Sequence, residues 1–159
     1  MLQSATRLLD RLDRTRDWQF ILILYLVRWV VLSPFLVLLF REIRHVRLPY
    51  DSDKTLAIYV ALIVSPILET LVECSIPYAL LRKRIHSSSR SWLFIGVSGL
   101  TMMLFHPYVV ALLPSFITGV FLAYTYAHFA PRNTVAAILF TSGFHAGINL
   151  VGVIASFLS

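Results

Sequence analysis

A chain that carries the run Thr55–Leu81, 27 residues with Glu69 and Glu73 as their only charged side chains, has few folds open to it. About 20 apolar residues in helical form cross the hydrocarbon core of a bilayer. Backbone polar groups must pair internally there, which leaves helices or a closed barrel. The apolar positions run continuously instead of alternating, which selects helices. Comparable runs occur at Trp18–Phe40, Trp92–Phe105, Pro114–Phe129 and Thr134–Leu158. Composition agrees: only 14% of the residues are charged, against about a quarter in a soluble domain. The mean hydropathy is +0.77. The expectation is an all-α polytopic transmembrane helix bundle of about five spans. It forms one integral membrane domain over residues 1–159.

Residues 2–17 set Leu2, Leu8, Leu9 and Leu12 against Arg7, Arg11, Arg14 and Arg16. This spacing suits an amphipathic helix lying in the interface, with Trp18 as an interfacial anchor. The run that follows is too long for a signal-peptide core and no small-residue cleavage site comes after it, so it is expected to be retained. The net charge of +6 would point a soluble protein toward nucleic acid. Here the basic residues flank apolar runs, which directs them to membrane topology and anionic headgroups and away from nucleic acid. Arg7, Arg11, Arg14 and Arg16, the basic loop Arg82–Arg90 and Arg132 fall on one side of a five-span arrangement. Arg41, Arg44, Arg47 and Lys54 fall on the other. This asymmetry places the N-terminus in the cytoplasm. The single cysteine, Cys74, rules out an intrachain disulfide and a cysteine zinc cluster.

Of the acidic residues only Glu69 and Glu73 fall inside an apolar run. They are four apart and share one helix face. A charge at mid-bilayer costs about 2.5–3.5 kcal/mol on insertion scales, so intramembrane carboxyls are functional-site candidates. Pro66, three residues before Glu69, removes a backbone hydrogen bond and opens the helix locally. Arg28 lies within the first run. It is read as facing the bundle interior, snorkelling to the surface, or pairing with Glu69. His45 and His86 belong to charged loops, and His128 ends a span. His106 closes the apolar run Met102–Phe105, and His145 and Asn149 lie one turn apart within the last run. Taken singly, a membrane histidine or asparagine often just bridges helices. Two Glu, two His and one Asn distributed over three apolar helices form a convergent polar site instead. The small residues Gly96, Ser98, Gly99, Gly119, Gly143, Ala146 and Gly147 suit close helix approach, which is also ordinary membrane packing.

The set resembles the CPBP family of CAAX and bacteriocin-processing (Abi) intramembrane proteases. That family carries Glu-Glu-x-x-x-Arg, Phe-x-x-x-His and His-x-x-x-Asn on successive helices. His145-Ala146-Gly147-Ile148-Asn149 matches the third motif. His106 matches the second, with Met102 at the Phe position. Glu69 matches the first, while Thr70 stands at the second Glu and Cys74 at the Arg. Glu73, one turn beyond Glu69, offers a replacement carboxylate. The resemblance covers about residues 60–152, each motif lying in an apolar run.

The resemblance implies an intramembrane endopeptidase that hydrolyses a peptide bond of a membrane-anchored or lipid-proximal substrate. Glu69 would activate water as general base. His106 would orient the water or protonate the leaving amine, and His145 and Asn149 would stabilise the oxyanion. Glu73 would serve as an accessory carboxyl. The family has been described both as metalloproteases and as glutamate-type proteases. Glu69, His106 and His145 are the ligand set if Zn²⁺ is bound. The stronger zinc signature, His-Glu-x-x-His, is absent from the sequence. Two other functions fit the composition: a catalytically inactive membrane scaffold or chaperone, and a small proton-coupled transporter. The second often shows internal repeats, and none are present. The expected setting is the bilayer of a prokaryotic cytoplasmic membrane, with a membrane peptide or protein as substrate.

Overall fold

The computed structural model describes residues 16–32, 54–82, 92–106 and 112–158. The expected interfacial helix over 2–17 falls almost wholly outside these residues. So do loop 41–54, His45, the basic loop after Arg82 with His86, and the segment 107–111. The described residues fall into two compact units, 16–32 in one and 54–158 in the other.

The first unit is one helix, α1, α-helical over Asp17–Leu26 and π-helical over Val27–Leu32. The Arg16 N–H donates to Gln19 Oε1 at its start, and Trp18 is exposed, as an anchor should be. Arg28 sets its guanidinium 5.3 Å from the Trp29 ring centre.

The second unit holds four helices. The first, α2, covers 54–81 and is not a uniform α-helix. α-Helical Lys54–Tyr59, Ser65–Glu69 and Ile76–Leu81 alternate with π-helical Val60–Val64 and Thr70–Ser75. Each π stretch ends just before a proline, Pro66 or Pro77. A proline ring crowds the carbonyl four residues back and offers it no N–H, so the turn ahead of it widens. The opening expected at Pro66 therefore takes the form of a wide turn, repeated at Pro77. Helices α3 (Trp92–Phe105), α4 (Leu112–Phe129) and α5 (Thr134–Leu158) follow. Asn133 caps α5, its Oδ1 accepting from the N–H groups of Val135 at 2.8 Å and Ala136 at 3.2 Å.

By length and composition, three of the described helices can cross a membrane: Thr55–Leu81, Leu112–Phe129 and Thr134–Val151. Trp92–Phe105 is apolar but shorter. The helices are all-α, apolar outside and polar within. Leu56, Tyr59, Ile63 and Ile67 on α2, and Val135, Leu139, Ile154 on α5, are exposed, while Thr70, Glu73, Ser98, Thr125, Thr141 and His145 are buried. Water would penalise that exterior and a bilayer would not.

Helix α2 packs against all three of the others, α3 most extensively against α4, and α4 against α5. The α3–α4 approach is set by small residues. A Cβ at Gly119 would lie 2.7 Å from Met102 Cβ and 2.9 Å from Gly99 Cα, so the two backbones nearly touch. Gly96 and Gly143, expected to serve the same purpose, face open space. Tyr78, Phe94 and Tyr126 join α2, α3 and α4 in an aromatic cluster with ring centres 5.3 to 6.3 Å apart. The Tyr126 hydroxyl donates to Ser75 Oγ at 3.1 Å.

Candidate active site

Glu69 ends the α-helical stretch that Ser65 begins, and Glu73 lies in the π stretch that follows. Both face one partly open cavity of about 300 Å³, lined also by Leu68 and Val72 of α2 and by Phe105 and His106 at the end of α3. The shared face expected from four-residue spacing is therefore present, and both residues contribute to the wall of one cavity.

The Glu69 carboxyl has two distinct neighbours. Its Oε1 accepts from the Ser65 hydroxyl, one turn back. Its Oε2 lies 3.4 Å from His145 Nε2 of α5, with His145 almost fully buried and Glu69 partly open. The Ser65 hydroxyl orients the carboxyl, and His145 stands within ion-pair reach of its other oxygen, which makes no hydrogen bond among the described residues. Ser65 was not singled out from the sequence. Its signal was there: it is four residues before Glu69, hence on the same face.

His106 donates from Nδ1 to the backbone carbonyl of Met102 at 2.9 Å. A carbonyl can only accept, so Nδ1 carries the proton and Nε2 remains as the ring's acceptor. The side chain at position 102 takes no part in this bond. The Met found where the resemblance has Phe leaves it intact.

Glu73 is 1% exposed, and among the described residues neither of its oxygens has a hydrogen-bond partner. His145 Nδ1 is likewise buried without one. Such orphaned groups are costly and need an explanation. For Glu73, which lines the cavity, a substrate or water is the natural one. Thr70 and Cys74, the two departures from the first motif, are both fully buried.

Asn149 is turned elsewhere. Its Nδ2 donates to the backbone carbonyl of Ala61 on α2 at 2.8 Å, and it is not among the residues lining the cavity. The structure thus brings Glu69, Glu73 and His106 to one cavity, sets His145 on Glu69, and uses Asn149 one turn away as a helix-to-helix tie. Among the described residues no three His, Cys, Asp or Glu side chains are grouped so as to hold a metal ion. The set Glu69, His106 and His145 is not such a group.

The family model described as Type II CAAX prenyl endopeptidase Rce1-like matches residues 51–151. That span covers α2 to α4, most of α5 and every residue of the site. Comparison with curated proteins and with solved structures gives no match.

Proposed function

We propose, from the premise that this chain belongs to the Type II CAAX prenyl endopeptidase Rce1-like family, that it hydrolyses a peptide bond of a membrane-anchored substrate with water activated by Glu69. The family is one of proteases, and the apolar helices belong to an integral membrane protein. The observation that carries the reading is the Glu69 carboxyl, held by Ser65 and His145 at the edge of a cavity it shares with His106.

In this mechanism water enters the cavity between Glu69 and His106. His106 Nε2, left as an acceptor by the bond from Nδ1 to Met102, takes one hydrogen bond from the water and fixes its orientation. Glu69 takes the other proton as the water oxygen attacks the scissile carbonyl carbon. At that moment the Glu69 carboxyl loses its charge, and the Nε2–H of His145 loses the anion it faced. It is then free to meet the developing oxyanion, a fixed donor in a low-dielectric site. Glu69 returns its proton to the leaving amine as the C–N bond breaks. Glu73, a lining residue of the same cavity whose oxygens have no hydrogen-bond partner among the described residues, supplies the second carboxyl and accepts a hydrogen bond from the substrate's backbone N–H once substrate enters. The basic loops orient the chain with a cytoplasmic N-terminus.

The test is cleavage of membrane proteins in cells making the wild type or Glu69→Gln, read by mass spectrometry of new termini. Loss of a general base should cost about 10² to 10⁴ in rate. New termini that depend on Glu69 support the reading. Equal processing by both proteins defeats it, and no processing by the wild type favours an inactive scaffold.

A further inference from the structure

We propose that Asn149 is a positioning residue: it anchors α5 to the backbone carbonyl that Pro66 leaves without a helical donor, and so sets His145 against Glu69. The inference deepens the peptidase reading of this site and rests on it for its kinetic part.

The π register of α2 makes the need for this anchor visible. The Ser65 N–H reaches back five residues, to the carbonyl of Val60. In that register the next donor, at position 66, would serve Ala61. Position 66 is proline and has no N–H. Within the helix the Ala61 carbonyl is therefore left over, in a segment where water is scarce and an unpaired carbonyl costs about as much as a lost hydrogen bond. Asn149 supplies the missing donor from a neighbouring helix, at 2.8 Å and so well inside hydrogen-bond range. The bond joins residues 88 apart in sequence.

The tie acts on the site through one helical turn. Asn149 and His145 are four apart on α5, while Ala61 and Glu69 flank the Pro66 turn on α2. Fixing 149 on 61 sets the height and rotation of α5 against α2, and with them the 3.4 Å approach of His145 Nε2 to Glu69 Oε2. Asn149 then acts through His145 and not by touching the substrate.

The two roles separate in a double-mutant cycle. Asn149→Ala removes the donor from α5. Pro66→Ala returns a backbone N–H to α2, so the Ala61 carbonyl gains a helical partner and Asn149 becomes dispensable. Four full-length proteins are compared in detergent or reconstituted bilayers: wild type, each single variant and the double variant. Thermal unfolding is measured together with kcat and KM per folded enzyme on a membrane peptide cleaved by the wild type. The expected result is that Asn149→Ala alone lowers kcat about tenfold or more with little change in KM. In the Pro66→Ala background the same change should cost less than about threefold. Equal losses in both backgrounds overturn the proposal, because a group that meets the oxyanion cannot be replaced by a backbone N–H at position 66. An unchanged kcat in Asn149→Ala also overturns it.

If Asn149→Ala does not fold, the double variant decides. Recovery of a folded, active protein supports the anchor, and continued failure refutes it. If the wild type proves to cleave nothing, the peptidase reading fails on its own. The anchor is then judged by unfolding temperature: lowered in Asn149→Ala and restored by Pro66→Ala, or refuted when it is not restored.

Discussion

Gly119→Ala should destabilise the protein and Gly143→Ala should not, although both add one methyl to a helix glycine. At Gly119 the new Cβ would stand 2.7 Å from Met102 Cβ, 2.9 Å from Gly99 Cα and 3.0 Å from the Ser98 carbonyl oxygen. Carbon atoms rest at about 3.5–4.0 Å, so α3 and α4 must part by about 1 Å at this level. None of the three neighbours is the end of a flexible side chain, and two are backbone, so rotamer adjustment offers no escape. Overpacking of this kind costs about 1–3 kcal/mol. The displacement is also carried to the site, because α3 ends in His106, whose ring is held by the carbonyl of Met102. Activity per folded molecule should therefore fall as well. At Gly143 nothing lies within 4 Å of the added Cβ. The substitution there removes only the entropic cost of glycine in a helix and should stabilise by about 0.5–1 kcal/mol. Thermal unfolding of both variants in one detergent reads the two signs. Equal unfolding temperatures for Gly119→Ala and Gly143→Ala would refute the close α3–α4 contact and the argument built on it.

Three further outcomes are expected. Glu73→Leu removes a buried carboxyl without partners and replaces it with an apolar group of similar size. Unfolding should show a gain of about 1–3 kcal/mol, while kcat falls; a loss of stability would mean that the carboxyl is paired. Met102→Phe should leave kcat per folded enzyme within about threefold, because His106 is held by the backbone carbonyl of residue 102. A large fall in kcat at unchanged stability would show that the side chain itself sets the histidine. Asn133→Ala should cost about 1 kcal/mol in unfolding, because two N–H groups at the start of α5 lose their acceptor; an unchanged unfolding temperature would contradict the cap.

The helices and the site were legible in the sequence to different depths. The run Thr134–Leu158 is helical over the same residues as read from its apolar pattern, because Asn133 before it and an uninterrupted hydrophobic stretch after it leave no competing structure. Glu69, His106 and His145 stood out because ionisable groups inside apolar runs are expensive. The alternation of α and π turns in α2 was not legible. The prolines announced a disturbance, but whether a helix kinks or widens depends on what the neighbouring helices offer the freed carbonyls. That is a tertiary matter, decided here by an asparagine 88 residues away. For the same reason the bond from Asn149 to Ala61 was not legible, although spacing and the His-x-x-x-Asn motif both marked the residue. Its four-residue distance from His145 puts it on the right face but does not say which polar group lies opposite.

Thr70 and Cys74 bear on how the departures from the first motif should be understood. They stand where the resembled pattern has a glutamate and an arginine four residues apart, a spacing at which the two would face each other on the helix. Both positions are fully buried. Either charge kept without the other would be an uncompensated ion inside the bundle, a defect that costs about 3–5 kcal/mol. The two therefore have to be lost together, and a neutral pair at 70 and 74 is the arrangement that a buried site tolerates. What the exchange removes is a charge pair enclosed among helices. What it leaves untouched is the cavity wall, where Glu69 keeps its contacts to Ser65 and His145 and where Glu73 brings a second carboxyl. A scaffold that had lost its chemistry would have no physical reason to keep a carboxyl without partners at 1% exposure beside another. Its cost is understandable where a substrate or water completes it.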